Sequence, residues 1–146
     1  IERYRVFGFG LWTICLQSSG EMIGNCGLTM RRIGGTILPE IGYHIAKAHQ
    51  RRGYAKEAAQ AVRDWTFAHT PFGMVYSYMK QSNLPSAAVA RANGTTLLRE
   101  YTDAEQEQTA VYGISRTDWE TWNISFLERP YEKRETARDV CHAVSL

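Results

Sequence analysis

The strongest constraint on the fold is a change of hydrophobic period near residue 50. Residues 11–17, 22–32 and 37–46 are rich in β-formers, and in the first of them Trp12, Ile14 and Leu16 fall on one face. Such segments read as extended strands. From Tyr54 to His69 the period changes: Ala55, Ala58, Ala59, Val62, Trp65 and Thr66 recur at spacings of three and four. That is the stripe of an amphipathic helix, and its alanines let it lie close on a sheet. Three extended segments followed by one helix point to an α+β domain.

The punctuation agrees. Residues 18–21 form a polar turn, and Ile33-Gly34-Gly35-Thr36 is a two-residue hairpin signal, because Gly-Gly accepts the positive φ such turns require. Gly24 and Gly27 inside the second strand suggest a bulge or a close backbone approach. Thr70-Pro71-Phe72-Gly73 breaks the helix, and residues 74–79 read as another strand. Asn83-Leu84-Pro85-Ser86 starts a second helix, with Asn83 as its cap and Pro85 in the first turn; Asn93-Gly94 stops it. Strands at 96–101 and 109–115 close the pattern across a polar loop at 102–108, giving the order βββ-α-β-α-ββ. Residues 1–122 are expected to form this domain. A C-terminal extension, 123–146, is expected to be a solvated helix, an extended arm or a subunit contact, with a capped helical turn just before it at Thr117-Asp118-Trp119-Glu120.

Composition excludes several functions. The 146 residues are 44% hydrophobic and 12% aromatic, enough apolar surface for one folded domain and too much for disorder. The 17 Lys+Arg against 15 Asp+Glu leave a formal charge of +2, and no stretch is strongly basic, so nucleic acid is not the expected partner. No run approaches the roughly 18–20 apolar residues of a membrane helix. Cys15, Cys26 and Cys141 form no CxxC or Cys/His cluster, so no metal is expected. They read as buried reduced thiols of a cytoplasmic protein. The chain opens on Ile1-Glu2-Arg3-Tyr4-Arg5, with neither an initiator Met nor a signal-like run.

The segment that carries chemistry is Gln50-Arg51-Arg52-Gly53-Tyr54-Ala55, between a strand and the helix. The first N–H groups of a helix have no intrahelical partner and sit at the positive end of its dipole, which makes an anion cradle suited to a pyrophosphate. Gly53 admits close backbone approach, Ala55 keeps the helix start small, and Arg51 and Arg52 can screen phosphate charge. A Walker loop is absent, because nothing supplies Gly-Lys-Ser/Thr. A dinucleotide fingerprint needs three spaced glycines after a parallel strand, and there is one here.

Five segments in order resemble the GNAT superfamily of N-acetyltransferases, most closely the RimJ/RimL-like branch that acetylates N-terminal amines of ribosomal proteins. They are Met22-Ile23-Gly24-Asn25-Cys26-Gly27-Leu28, Glu40-Ile41-Gly42-Tyr43-His44-Ile45, the Gln50 to Ala58 segment, Asn83 onward, and the stop at Gly94. The likeness runs over about residues 10–119. It implies a mixed, mostly antiparallel sheet with splayed central strands and flanking helices, and acetyl-CoA as cosubstrate without a metal. Ile45 and Ala46 would meet the pantetheine, Gln50, Arg51, Arg52, Gly53, Tyr54 and Ala55 the pyrophosphate, and Asn83 the cofactor arm.

The resemblance further implies direct transfer of acetyl to a primary amine, on a protein N-terminus or a small molecule, through a ternary complex. Glu40 would deprotonate the amine through water or simply bind a cationic substrate. Ser86 would protonate the leaving thiolate or only cap its helix. His44 reads as a packed or substrate-facing ring, His49 as a loop residue, and Trp12 and Trp65 as core. Three departures stand out. The family carries a strand and two helices ahead of the meander, forming much of the acceptor pocket, whereas ten residues precede Leu11 here. Those elements are then missing or supplied by another chain, which leaves a homodimer open. Thr95 stands where the family has a bulky apolar residue, and the segment from Asn123 has no counterpart. The alternative is an acetyl-CoA-binding or regulatory module without catalysis.

Overall fold

The computed structural model describes residues 2–127. A short helix α1 (Glu2–Phe7) leads into strands β1 (Leu11–Cys15), β2 (Met22–Ile33) and β3 (Thr36–Ile45). A 3-10 turn at Lys47–His49 precedes helix α2 (Tyr54–His69), then β4 (Met74–Lys80), α3 (Leu84–Ala92), β5 (Thr96–Thr102), β6 (Gln108–Ser115) and α4 (Arg116–Leu127). The six strands form one sheet in the order β1-β2-β3-β4-β6-β5, antiparallel except between β3 and β4. The fold is α+β, as expected. No helix among the described residues is long and apolar enough to cross a membrane.

Two helices were not legible in full. α1 has six residues, too few for a periodic signal. α4 has twelve residues where the pattern shows one capped turn, because two tryptophans hold it rather than a continuous stripe. Trp119 Nε1 donates to Asp64 Oδ1 at 2.7 Å, and its ring centroid lies 5.2 Å from that of Phe67. Trp122 lies 4.4 Å under the Arg63 guanidinium. α4 therefore continues through the boundary expected at residue 122. The mixed-charge run at 128–139 and Cys141 lie outside the described residues.

Gly34 (φ +55°) and Gly35 (φ +89°) make the tight turn that sets the β2–β3 register, placing Leu28 opposite Ile41 and Thr29 opposite Glu40. Gly27 serves a close approach: a Cβ there would lie 2.0 Å from the Gly10 carbonyl oxygen. Alternation along the strands gives the sheet two unlike faces. On one, Leu28, Ile41 and Ile45 pack with Ala58, Ala59, Val62 and Phe67 of α2. Truncating Leu28, fully buried, to Ala would cost about 2–5 kcal/mol. A second cluster joins Ala87 and Ala90 of α3 to Met79, Ala110 and Tyr112 on the same side. Glu40, Gly42 and His44 alternate onto the opposite face. Thr95 is suited to its place, since its hydroxyl donates to the Ala90 carbonyl at 2.6 Å inside the core. Trp12 and Trp65 are half-buried at the rim, edge to face with centroids 5.0 Å apart.

Candidate active site

The site is built around the one parallel pairing. β3 and β4 share a single bridge, Glu40 with Tyr76; beyond it the two strands diverge. Ala46 N–H donates to the Ile23 carbonyl at 2.8 Å. By antiparallel alternation this turns the N–H groups of Tyr43 and Ile45 away from β2 and toward the gap. The Ile45 carbonyl is held there by the Gln50 side-chain amide, which donates to it at 2.9 Å. Ser77 Oγ donates to the Ile41 carbonyl at 2.9 Å across the gap. A cavity of about 80 Å³ runs between the strands, lined by Glu40, Gly42 and Tyr78 from one face and by Tyr43, Ser77 and Ser86 from the other.

At the wide end of the gap sits the N-terminus of α2. Gly53 is its N-cap residue, with φ +85° and ψ −1°, and no side chain caps the helix. A Cβ on Gly53 would meet no atom within 4 Å, so the helix start is open at this residue. Arg51 also has positive φ, +62°, uncommon for a residue with a side chain. Arg51 and Arg52 are exposed, whereas Tyr54 and Ala55 turn their side chains onto the core. The anion-binding capacity therefore lies in the backbone amides of the first turn, with two flexible guanidinium groups beside them. This open, uncapped cradle fits a pyrophosphate.

At the closed end, Glu40 is only 9% exposed. Its Oε2 accepts from Thr29 Oγ1 at 3.0 Å and lies 3.8 Å from Arg31 Nε. Gly42 leaves the room it needs, since a Cβ there would lie 3.3 Å from Oε1. Burial pushes the Glu40 carboxyl above its ordinary range, against the Thr29 hydroxyl and Arg31, which both lower it. Arg31 spans the gap: its Nη2 donates to the Tyr78 hydroxyl at 3.1 Å.

The other expected site residues have local tasks as well. Asn83 caps α3, its Oδ1 accepting from Ser86 N–H at 3.2 Å. The Ser86 carbonyl accepts from the Tyr43 hydroxyl at 2.7 Å, joining the splayed strand to α3. Ala46 has spent its N–H on β2 and Gln50 braces the loop, so the gap-facing amides are those of Tyr43 and Ile45. His44 is exposed, and His49 Nε2 lies 3.2 Å from Glu21 Oε1. Thr29, Arg31, Tyr43 and Ser77 were not singled out from sequence. Thr29 was reachable by counting outward from the Gly34-Gly35 turn, whereas the other three act across a gap that no local pattern encodes.

The Acetyltransferase (GNAT) domain family matches residues 2–96. The uncharacterized protein YkkB of Bacillus subtilis (strain 168) is 35% identical over 88 residues, which are 60% of this chain and 51% of that protein. The solved acetyltransferase of Agrobacterium tumefaciens str. C58 is 35% identical with a TM-score of 0.65, over 77% of this chain and 64% of that one. A solved RimL ribosomal-protein alpha-N-acetyltransferase in complex with coenzyme A shares the fold at 22% identity, with a TM-score of 0.57 over 66% of this chain and 56% of that one. The chain spans about half the length of the curated relatives it matches, between 46% and 60%. With the family matched over residues 2–96 and the splayed sheet and helix cradle in place, the chain belongs to the GNAT acetyltransferase family.

Proposed function

We propose that this domain transfers acetyl from acetyl-CoA directly to a primary amine, with both substrates bound together. The observation that carries the reading is the position of Glu40 at the vertex of the β3–β4 gap, whose wide end meets the uncapped start of α2. Bound there, acetyl-CoA supplies an activated thioester that a neutral amine attacks without a metal. The amides of residues 51–56 hold the pyrophosphate, and the gap-facing amides of Tyr43 and Ile45 hold the arm. A coenzyme A complex of a fold neighbour supports the same assignment.

The acceptor amine arrives from the face that carries Glu40 and Arg31, opposite the helices. Glu40 takes the ammonium proton through a water, leaving the nitrogen lone pair free. Its raised proton affinity brings it nearer the working pH, where a general base is most effective. An α-amine with an ordinary pKa of about 7.7–8.0 is far easier to deprotonate than a lysine near 10.4. A protein or peptide N-terminus, or a small amine of similar basicity, is the acceptor class that fits. Ser86, lining the cavity, is the hydroxyl available to return a proton to the thiolate.

The test is coenzyme A release with peptide α-amine and lysine ε-amine acceptors across pH, in wild type and Glu40→Gln. A general base contributes about 10²–10⁴-fold. The variant is expected to lose turnover most below the amine pKa while keeping acetyl-CoA affinity. Identical pH–rate profiles would remove Glu40 as the base. Tight acetyl-CoA binding without release, for every amine tried, would establish the non-catalytic binding module instead.

A further inference from the structure

Away from the gap, the β2–β3 and β5–β6 hairpins meet over a cleft of about 500 Å³. Arg32, Gly34 and Gly35 line it from one hairpin and Arg99, Tyr101 and Asp103 from the other. Arg99 is held in place: its Nη2 donates to the Ile33 carbonyl at 3.1 Å and its guanidinium lies 5.6 Å from the Tyr101 ring centroid. It rests on Gly34, where a Cβ would come 2.6 Å from Nη2. The Tyr101 hydroxyl accepts from Gly34 N–H at 3.3 Å, and Arg32 Nη1 donates to the Gly35 carbonyl at 3.0 Å. Each guanidinium thus spends one donor on a carbonyl, leaving its remaining N–H groups for a ligand.

The acids nearby are committed elsewhere. Asp103 turns inward on its own loop, accepting from Glu105 N–H and Glu107 N–H at 2.9 Å each and from Thr109 Oγ1 at 3.1 Å. Glu100 accepts from the Gln81 amide and Glu107 pairs with Lys80. Among the described residues, no carboxylate lies within ion-pair distance of Arg32 or Arg99. By contrast, Arg63 and Arg31 each lie beside an acid. Two arginines line this cleft against the single carboxylate of Asp103, which is hydrogen-bonded into its own loop and outside ion-pair distance of both, and that excess of positive charge suits an anion.

The cleft is placed to read the acceptor. Thr29 is the strand partner of Glu40 and shares its face. Ile33, whose carbonyl holds Arg99, lies four residues further along that face, about 13 Å at the ordinary strand rise, and Arg32 joins the cleft from the hairpin end. Resting on the acetyl-transfer reading above, we propose that the Arg32–Arg99 cleft is an acceptor subsite that selects a peptide α-amine followed, two to three residues on, by an acidic side chain. An extended peptide advances about 3.3 Å per residue, so its third and fourth side chains reach the cleft when its amine is at Glu40. Polyamines and basic N-termini are then the disfavoured acceptors.

Hexapeptides differing only in Glu, Gln or Lys at positions 3 and 4 test this, read both as kcat/KM for coenzyme A release and as binding by fluorescence anisotropy with coenzyme A present. The Glu peptide should exceed the Lys peptide about tenfold at low salt, the gap narrowing as screening rises. Arg32→Gln with Arg99→Gln should bring the Glu and Gln peptides to parity. Equal wild-type values for all three peptides, or a preference for Lys, would overturn the subsite. A Glu preference that persists in the double variant would overturn its assignment to this cleft. Selective binding without coenzyme A release from any peptide would sink the transfer reading and leave the subsite standing. Release without selectivity would do the reverse.

Discussion

Replacing Gly53 with Ala separates the two things this glycine does. Its φ of +85° lies in the left-handed region, where a residue with a Cβ is disfavoured by about 1–2 kcal/mol. The stiffer unfolded chain returns about 0.4–1 kcal/mol. No atom lies within 4 Å of the new Cβ, so no clash adds to this, and the net loss is about 0.5–1.5 kcal/mol. For a domain of this size that lowers Tm by about 2–5 °C. The effect on cofactor binding should be much larger, because the methyl enters the open space at the start of α2. Displacing one amide-to-phosphate hydrogen bond, worth about 1.5–3 kcal/mol when the acceptor is charged, weakens binding about 10- to 100-fold. Gly8 supplies a control, since it too has positive φ (+74°) and open space at its Cβ. Gly8→Ala should cost similar stability and leave acetyl-CoA affinity alone. Calorimetric titration of both folded variants is the assay. An acetyl-CoA affinity in Gly53→Ala within twofold of wild type would refute the cradle.

Other variants probe the same geometry. Glu40→Gln should raise Tm at neutral pH: with its pKa raised by burial, the native state holds its proton more tightly than the unfolded chain. The wild-type residue's contribution is therefore fully present below the unfolded pKa and lost as pH climbs through the folded one. The stabilisation by Gln should fade toward pH 4, as thermal melts at several pH values will reveal. Tyr43→Phe removes the hydroxyl donated to the Ser86 carbonyl and should cost about 0.5–1.5 kcal/mol in denaturant unfolding. Burial pushes the Cys26 thiol up to about 12, so native protein should resist alkylation at Cys26 and become reactive there only after unfolding, as peptide mapping would report.

How much was legible depended on the range of the cause. The bounds of α2 follow from a local period and a single glycine, and those of α3 from Asn83, Pro85 and Gly94. The register that puts Thr29 beside Glu40 follows from a two-residue turn. Resemblance then supplied the splayed sheet, which no periodicity encodes. The task of Ala46 was not legible, because its N–H is spent on Ile23, a partner 23 residues away in sequence. Tyr43 reads as an alternating apolar position, yet its hydroxyl crosses to α3. The Arg32–Arg99 cleft joins two hairpins whose meeting depends on the twist of the whole sheet. Only the first turn of α4 is legible, because the contacts that extend it run to α2, through Trp119 with Asp64 and Trp122 with Arg63, rather than along its own sequence.

The central claim is that acetyl-CoA lies in the β3–β4 gap with its pyrophosphate on the start of α2. Backbone amide chemical shifts, followed by NMR as acetyl-CoA is added, test it residue by residue. The account predicts that the largest changes fall on Tyr43, Ile45 and residues 51–56, with Arg32, Gly34 and Gly35 unmoved. Saturable binding that shifts the hairpin residues and leaves the amides of 51–56 in place would contradict it.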